Sequence, residues 1–183
     1  MENNLIAAAL QAGAFKATIL SGEKIVLSES FREICRTGGC GAYGRCWVCP
    51  PYIGEIQPLM AKIRSYPKAL WYQSVGNIED SFDFEGMMAA GHAHALLGQR
   101  IQAKAEDIIG GEFLHLSCGG CHLCDKCTAI DGKPCRFPGK ALHPLEGYGV
   151  DVYQTTKDTP LKYSNGQNTV TYFGMILYKE ETL

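Results

Sequence analysis

IQAKAEDIIGGEFLHLSCGGCHLCDKC, residues 101–127, runs from a helical pattern through a short apolar run into a series of thiols. Upstream of it, Leu97, Ile101, Ala105 and Ile108 recur at helical spacing, which predicts a long helix over 86–109 with one face on a sheet. Gly110 and Gly111 end that helix. The next residues, EFLHLS at 112–117, predict a strand that delivers the chain into the cysteines. In α/β sheets, the loops that follow strand ends are where sites are built.

Cys118, Cys121, Cys124 and Cys127 lie three residues apart, and Cys135 follows within GKPCRFPG. Exposed free thiols oxidise and cross-link, so a run of this kind points to an inorganic centre. A structural zinc usually takes two C-x-x-C knuckles separated by a long spacer, which clamp the ion from opposite sides. Here Cys121, Cys124 and Cys127 come without a spacer, and Cys135 follows after seven residues. That layout resembles the ferredoxin run, in which successive thiolates grip different irons of one cluster. The spacing therefore favours a [4Fe-4S] cluster held by Cys121, Cys124, Cys127 and Cys135, with Cys118 as an alternative ligand and zinc as the alternative metal.

A second concentration lies upstream in SFREICRTGGCGAYGRCWVCPPYIG, where Cys35, Cys40, Cys46 and Cys49 occupy a glycine-rich stretch without apolar periodicity. It predicts a coil over 35–51 that forms another ligand nest, with Cys46 the least secure of the four; buried structural thiols are the alternative. The charge pattern suits anionic thiolate sites, since Arg32, Arg36 and Arg45 flank the first group and Lys126, Lys133, Arg136 and Lys140 the second. An ordinary solvated surface would carry the same residues. His92 and His94 are two apart and cannot share a helix face as ligands, so both read as surface or packing residues. His122 reads at most as a neighbour of the ligands, and His115 and His143 carry no pattern.

Elsewhere, residues 4–14 predict a short amphipathic helix, and FKATIL and KIVL predict a hairpin or a strand with an irregular return. Ile56, Leu59, Met60 and Ile63 predict a helix over 53–66 stopped by Pro67, and ALWYQSV from Ala69 predicts a buried strand. Leu145, Val150 and Val152 predict a packed segment after the second nest, and TVTYFGMILYKE predicts a final strand. Strands alternating with helices predict an α/β fold, a small sheet with right-handed crossover helices. It would form one domain over residues 1–183 and carry two cysteine-rich metal-binding coils, at 35–51 and 118–138.

The composition is that of a globular chain, 46% hydrophobic and 20% charged, and a net charge of -2 gives no general reason to bind nucleic acid or anionic membrane. No apolar run reaches membrane-spanning length, and the start MENNLIAAALQAGAF lacks the basic segment of an export signal. A cytoplasmic location is therefore expected, where nine cysteines are not kept as disulfides. No nucleotide-binding or Ser/His/Asp signature is present.

Two local motifs carry a resemblance. GGCHLCDKC with GKPCRFP and LEGYGVDV, together with Cys35, Cys40, Tyr43-Gly44, Trp47 and Cys49-Pro50-Pro51, resembles the cysteine-rich "predicted metal-binding protein" family of unknown function over roughly residues 30–180. The resemblance implies ligands at Cys35, Cys40, Cys49, Cys121, Cys124, Cys127 and Cys135, and leaves Cys46 and Cys118 outside the family pattern. Three cysteines and an open iron would suit an enzyme, whereas four would suit electron transfer. The leading expectation is an iron-sulfur protein with one or two clusters that passes electrons to a redox partner protein. A zinc-binding adaptor and an enzyme with an open iron are the alternatives.

Overall fold

Ala69, Leu70, Trp71 and Tyr72 are all buried in succession, which a strand achieves only when both faces of its sheet are covered. In the computed structural model, which describes residues 1–179, they belong to β2 (Lys68–Asn77). β2 sits between β1 (Lys16–Ser21) and β5 (Thr169–Tyr178), antiparallel to both. β3 (Phe113–Ser117) lies antiparallel on the far side of β5, and the two-residue β4 (His143–Pro144) joins β3 in parallel. The sheet is thus small, open and mixed, in the order β1-β2-β5-β3-β4.

The alternation along β2 divides the core in two. Leu70 and Tyr72, with Ile176 and Tyr178 of β5, face α1 (Glu2–Ala12) and α4 (Phe84–Ile109) through Leu5, Ala9, Leu97, Ile101, Ala105 and Ile109. Ala69 and Trp71, with Phe173, Met175 and Leu177, face Ile63 of α3 (Ile56–Arg64) and the segment carrying Leu145, Tyr148, Val150 and Leu161. Burying each such side chain contributes roughly 1.5–3 kcal/mol, so these two layers fix the frame. α4 starts where the Asp83 carboxylate accepts the Gly86 amide at 2.8 Å and stops where Gly110 turns left-handed at φ 67°.

Several expectations need correction. Of the two readings of FKATIL and KIVL, the hairpin does not form and the strand with an irregular return does: after β1, Gly22–Lys24 is a 3-10 turn, Leu27 makes only an isolated bridge to Val150, and β1 takes β2 as its neighbour. The crossover through α4 does not join adjacent strands, because β5 is inserted between β2 and β3. Part of the stretch read as coil is helical, since α2 (Ser30–Arg36) carries Cys35 in its last turn. The packed segment after the second nest contains a 3-10 turn (Glu146–Tyr148) and α5 (Val152–Thr156). Of the residues expected in the final strand, Glu180 lies outside the described residues. No helix among the described residues is long and apolar enough to cross a membrane.

Gly174 stands opposite Tyr72 in the β2–β5 ladder, and a Cβ there would overlap Tyr72 Cζ and Oη. Tyr72 is fully buried and cannot yield freely. Gly174→Ala is expected to destabilise the fold by about 2 kcal/mol, the usual scale of core overpacking. Urea denaturation measures it, and an unchanged midpoint would contradict this packing.

Candidate metal centre

Both cysteine stretches meet at the end of the sheet where β3 gives way to coil. Cys118 follows directly on β3, and the second coil returns to the sheet edge at β4. Its turns are fixed internally by Thr128 Oγ1 donating to Pro134 O at 2.9 Å and by the Lys133 amide donating to Thr128 O at 3.0 Å. Gln99 of α4 donates to Lys140 O at 2.7 Å, which ties the coil to the frame. The first coil is attached to the second by Trp47, whose indole N–H donates to Lys133 O at 2.9 Å. Around that link Cys46, Val48 and Cys49 form a small buried cluster with Ala42, Cys121, Cys127 and Ala141.

The nine thiols are free, none joined in a disulfide. All but Cys118 surround two neighbouring cavities rather than scattering through the core. A narrow one of about 10 Å³, room for about one water, is lined by Cys46, Cys121, Cys124, Cys127 and Cys135 among Trp47, Val48, Leu123, Thr128, Phe137 and Ala141. Thr128 has its hydroxyl bound to Pro134 O, so the free side-chain donors facing this space are sulfurs. A wider cavity of about 280 Å³ is lined by Cys35, Cys40 and Cys49, with Gly119, Gly120, Glu146 and Gly147 on the opposite wall. The partition differs from the chain order: Cys46, expected beside Cys35 and Cys40, lines the space of the second coil. Cys118 lies apart from both, in a small recess with Cys121 and His122.

Among the described residues no group of three or more His, Cys, Asp or Glu side chains is placed to hold a metal ion as it stands. The expectation of two formed metal-binding coils is corrected to that extent. The sulfurs gather around spaces without converging on a point.

Electrostatics follow from burial. Burial pushes the Cys121 thiol up to about 11 and Cys118 up to about 12, the nearby Glu146 charge adding to the latter. Cys35 is raised by burial and by Cys40, against a lowering from Arg32. Cys49 donates to Cys46, which pulls Cys46 down and raises Cys49, so that pair shares one proton. Any cation bound here must displace protons from the raised thiols, and its charge offsets what burial opposes. The expected ring of compensating cations is thinner than the sequence suggests. Arg36 pairs with Glu33 at 2.7 Å and Lys126 with Asp131 at 3.0 Å, both on the surface. Arg32 is the cation embedded beside the first coil, where it donates to Gly54 O and Gly147 O at 2.7 and 3.1 Å.

The family model described as Predicted metal-binding protein (DUF2284) matches residues 18–178. The chain belongs to that family. No curated protein and no solved structure matches it. The family's description names a metal and no reaction, and in this member the buried histidines do not supply ligands. His94 Nε2 donates to Phe173 O at 3.0 Å and its Nδ1 takes the Ser74 hydroxyl at 2.7 Å. His115 Nδ1 donates to Gln102 Oε1 at 3.2 Å and its Nε2 takes the Tyr72 hydroxyl at 2.9 Å. These donor roles follow from the acceptors present. His94, expected at the surface or in packing, is buried, and both rings belong to the layer between α4 and the sheet.

In this DUF2284 member the sequence reading named Cys46 but grouped it with the first coil, and it missed Glu146. Cys46 lies against the second coil, a placement that only the Trp47 link reveals. Glu146 lines the first cavity, and an acid set between Leu145 and Gly147-Tyr148 in an apolar run was a usable sign.

Mild oxidation of the metal-free protein, followed by peptide mapping, should join Cys46 to Cys49 or Cys127 and Cys35 to Cys40. Recovery of Cys46 only with Cys35 or Cys40 would contradict the partition. A second expectation concerns pH. Burial holds His94 down at about 4 and His115 at about 3, below the ordinary 6.5. Their contribution is therefore complete above pH 6.5 and is lost as pH falls toward 4 and 3, because the unfolded rings bind protons that the folded ones refuse. Each adds a slope of at most about 1.4 kcal/mol per pH unit in that window. His115→Gln should flatten the dependence measured by urea denaturation, and an unaltered slope would count against the assignment.

Proposed function

We propose that this chain is an iron-sulfur protein that passes electrons to a partner enzyme. Cys121, Cys124, Cys127 and Cys135 would hold a [4Fe-4S] cluster, with Cys46 beside them, once the coil widens the space of about 10 Å³ between these sulfurs, and Cys35, Cys40 and Cys49 would hold a second centre. The observation that carries this reading is the donor set of the narrower cavity, where Cys46, Cys121, Cys124, Cys127 and Cys135 are free thiols among apolar walls. Apart from Thr128, whose hydroxyl is already bound, the side chains around that space are thiols and apolar groups, and iron with sulfide is the group that thiolates in such spacing hold.

The residues also fit the electronic needs of such a group. The Phe137 amide donates to Cys135 Sγ at 3.4 Å, the kind of N–H to sulfur contact that raises a cluster's potential by stabilising negative charge on sulfur. Trp47 and Phe137 line one side of the space, and exposed Lys133 and Arg136 stand on the second coil. A cluster bound there would supply one-electron transfer, and because Lys126 is paired with Asp131, the positive charge offered to an acidic partner would come from exposed Lys133, Arg136 and Lys140.

Reconstitution with ferrous iron and sulfide in the absence of air tests the reading. The expected result is iron and acid-labile sulfide in equal amounts, about four or about eight of each per chain, with visible absorption that bleaches on reduction and an EPR signal from the reduced protein. Cys124→Ser should remove one cluster's share. Zinc bound without sulfide, or a colourless and EPR-silent protein, would overturn the proposal.

A further inference from the structure

Glu146 is a buried acid with an unanswered oxygen. The residue is half-buried and its carboxyl receives the backbone N–H groups of Gly119 and of Glu146 itself, yet Oε2 is shut off from solvent and has no hydrogen-bond partner. A buried carboxylate oxygen left without a donor costs several kcal/mol, so a position that keeps one calls for an explanation. No ion pair answers it among the described residues: Arg32, which reaches Gly147 O one residue on, directs its other bonded nitrogen at Gly54 O, and its own Nε is also unpartnered.

The place of that oxygen supplies the explanation. Glu146 lines the 280 Å³ cavity together with Cys35, Cys40 and Cys49. Three thiols leave one position of a four-coordinate centre unfilled. The fourth cysteine of the first coil, Cys46, is turned to the other cavity and does not line this one. Glu146 sits on the 3-10 turn that follows β4, held by the buried Leu145 and Tyr148. Its carboxylate therefore comes from the rigid frame, whereas Cys40 comes from a glycine-rich coil that can close on it.

We infer that Glu146 is the non-cysteine ligand of the centre at Cys35, Cys40 and Cys49. The assignment rests on the metal-binding reading above and adds to it the donor that completes the first site. It divides the ligands into a sulfur-only set at the second coil and a mixed set of three sulfurs and one oxygen at the first. A carboxylate oxygen can hold iron or zinc, and the 280 Å³ of space beside it leaves room for a further ligand.

The test compares anaerobic reconstitution with ferrous iron and sulfide in four proteins: the natural chain, Glu146→Gln, Glu146→Asp and Cys40→Ser. The expected result is that Glu146→Gln loses the same share of iron and the same EPR component as Cys40→Ser, and that Glu146→Asp restores part of both. Before metal is added, Glu146→Gln should be as stable as the natural chain or more so in urea, because it removes an unsatisfied buried charge; a structural role alone would predict the reverse. Full iron content and an unchanged spectrum in Glu146→Gln, with Cys40→Ser deficient, would overturn this assignment and leave the wider reading standing. A Cys40→Ser protein that matches the natural chain would also overturn it, since there would be no first centre to complete. A natural chain that takes up neither iron nor sulfide would instead overturn the reading on which it rests.

Discussion

Ten residues of β2 pair antiparallel with ten of β5, from Lys68 opposite Tyr178 to Asn77 opposite Thr169, and the placement of the remaining elements follows from that ladder. Because both of its faces are buried, helices must cover each side: α1 and α4 take one, and α3 with the 145–161 segment takes the other. α4 then has to return the chain to the same sheet beyond β5, which puts β3 at the far side and leaves its end free. The cysteine coils occupy that free end. Their location is thus a consequence of strand order rather than of any attraction between the coils.

What the sequence disclosed and what it hid follow from the range of each signal. Periodicity reports which face of an element is buried, so the helices that became α1, α3 and α4 and the strands that became β2, β3 and β5 were legible from their own residues. Pairing depends on partners far along the chain, and nothing in FKATIL or KIVL says that the first would choose β2 and that Leu27 would meet Val150 alone. α2 was missed for a different reason. Phe31, Ile34 and Cys35 do recur at helical spacing, but the helix is seven residues long, buries none of them and runs straight into a glycine-rich stretch that reads as coil. For the candidate site, the spacing of thiols marked both stretches, but a spacing cannot say which cavity a given sulfur will face. Cys46 crosses to the second coil because Trp47, one residue on, is fastened to Lys133.

The two halves of the molecule are stabilised by different means. The sheet and its helices are held by large apolar side chains such as Trp71, Tyr72, Leu97 and Met175. The coils have little of this. Where they touch, the buried cluster consists of Cys46, Val48 and Cys49, with Ala42, Cys121, Cys127 and Ala141 packed against it. Ordering a residue of coil costs about 1–2 kcal/mol of backbone entropy, more than a handful of thiols and methyl groups offsets at roughly 25 cal/mol per Å². Hydrogen bonds such as Trp47 to Lys133 O and Thr128 to Pro134 O define the turns without closing that gap.

That imbalance bears on why the thiols are so many and so sheltered. A buried thiol is a poor anion, as the raised Cys35, Cys118 and Cys121 show, and it holds its proton until a cation takes over the charge. The same burial that discourages ionisation makes the exchange of several protons for one polycationic group strongly favourable once begun, since the charge then stays inside a low-dielectric wall. Metal affinity and the order of the coils therefore become one free energy. A frame already stable through β2, β5 and α4 can carry such coils in a loose state, and the group they bind supplies the contacts that their own side chains lack.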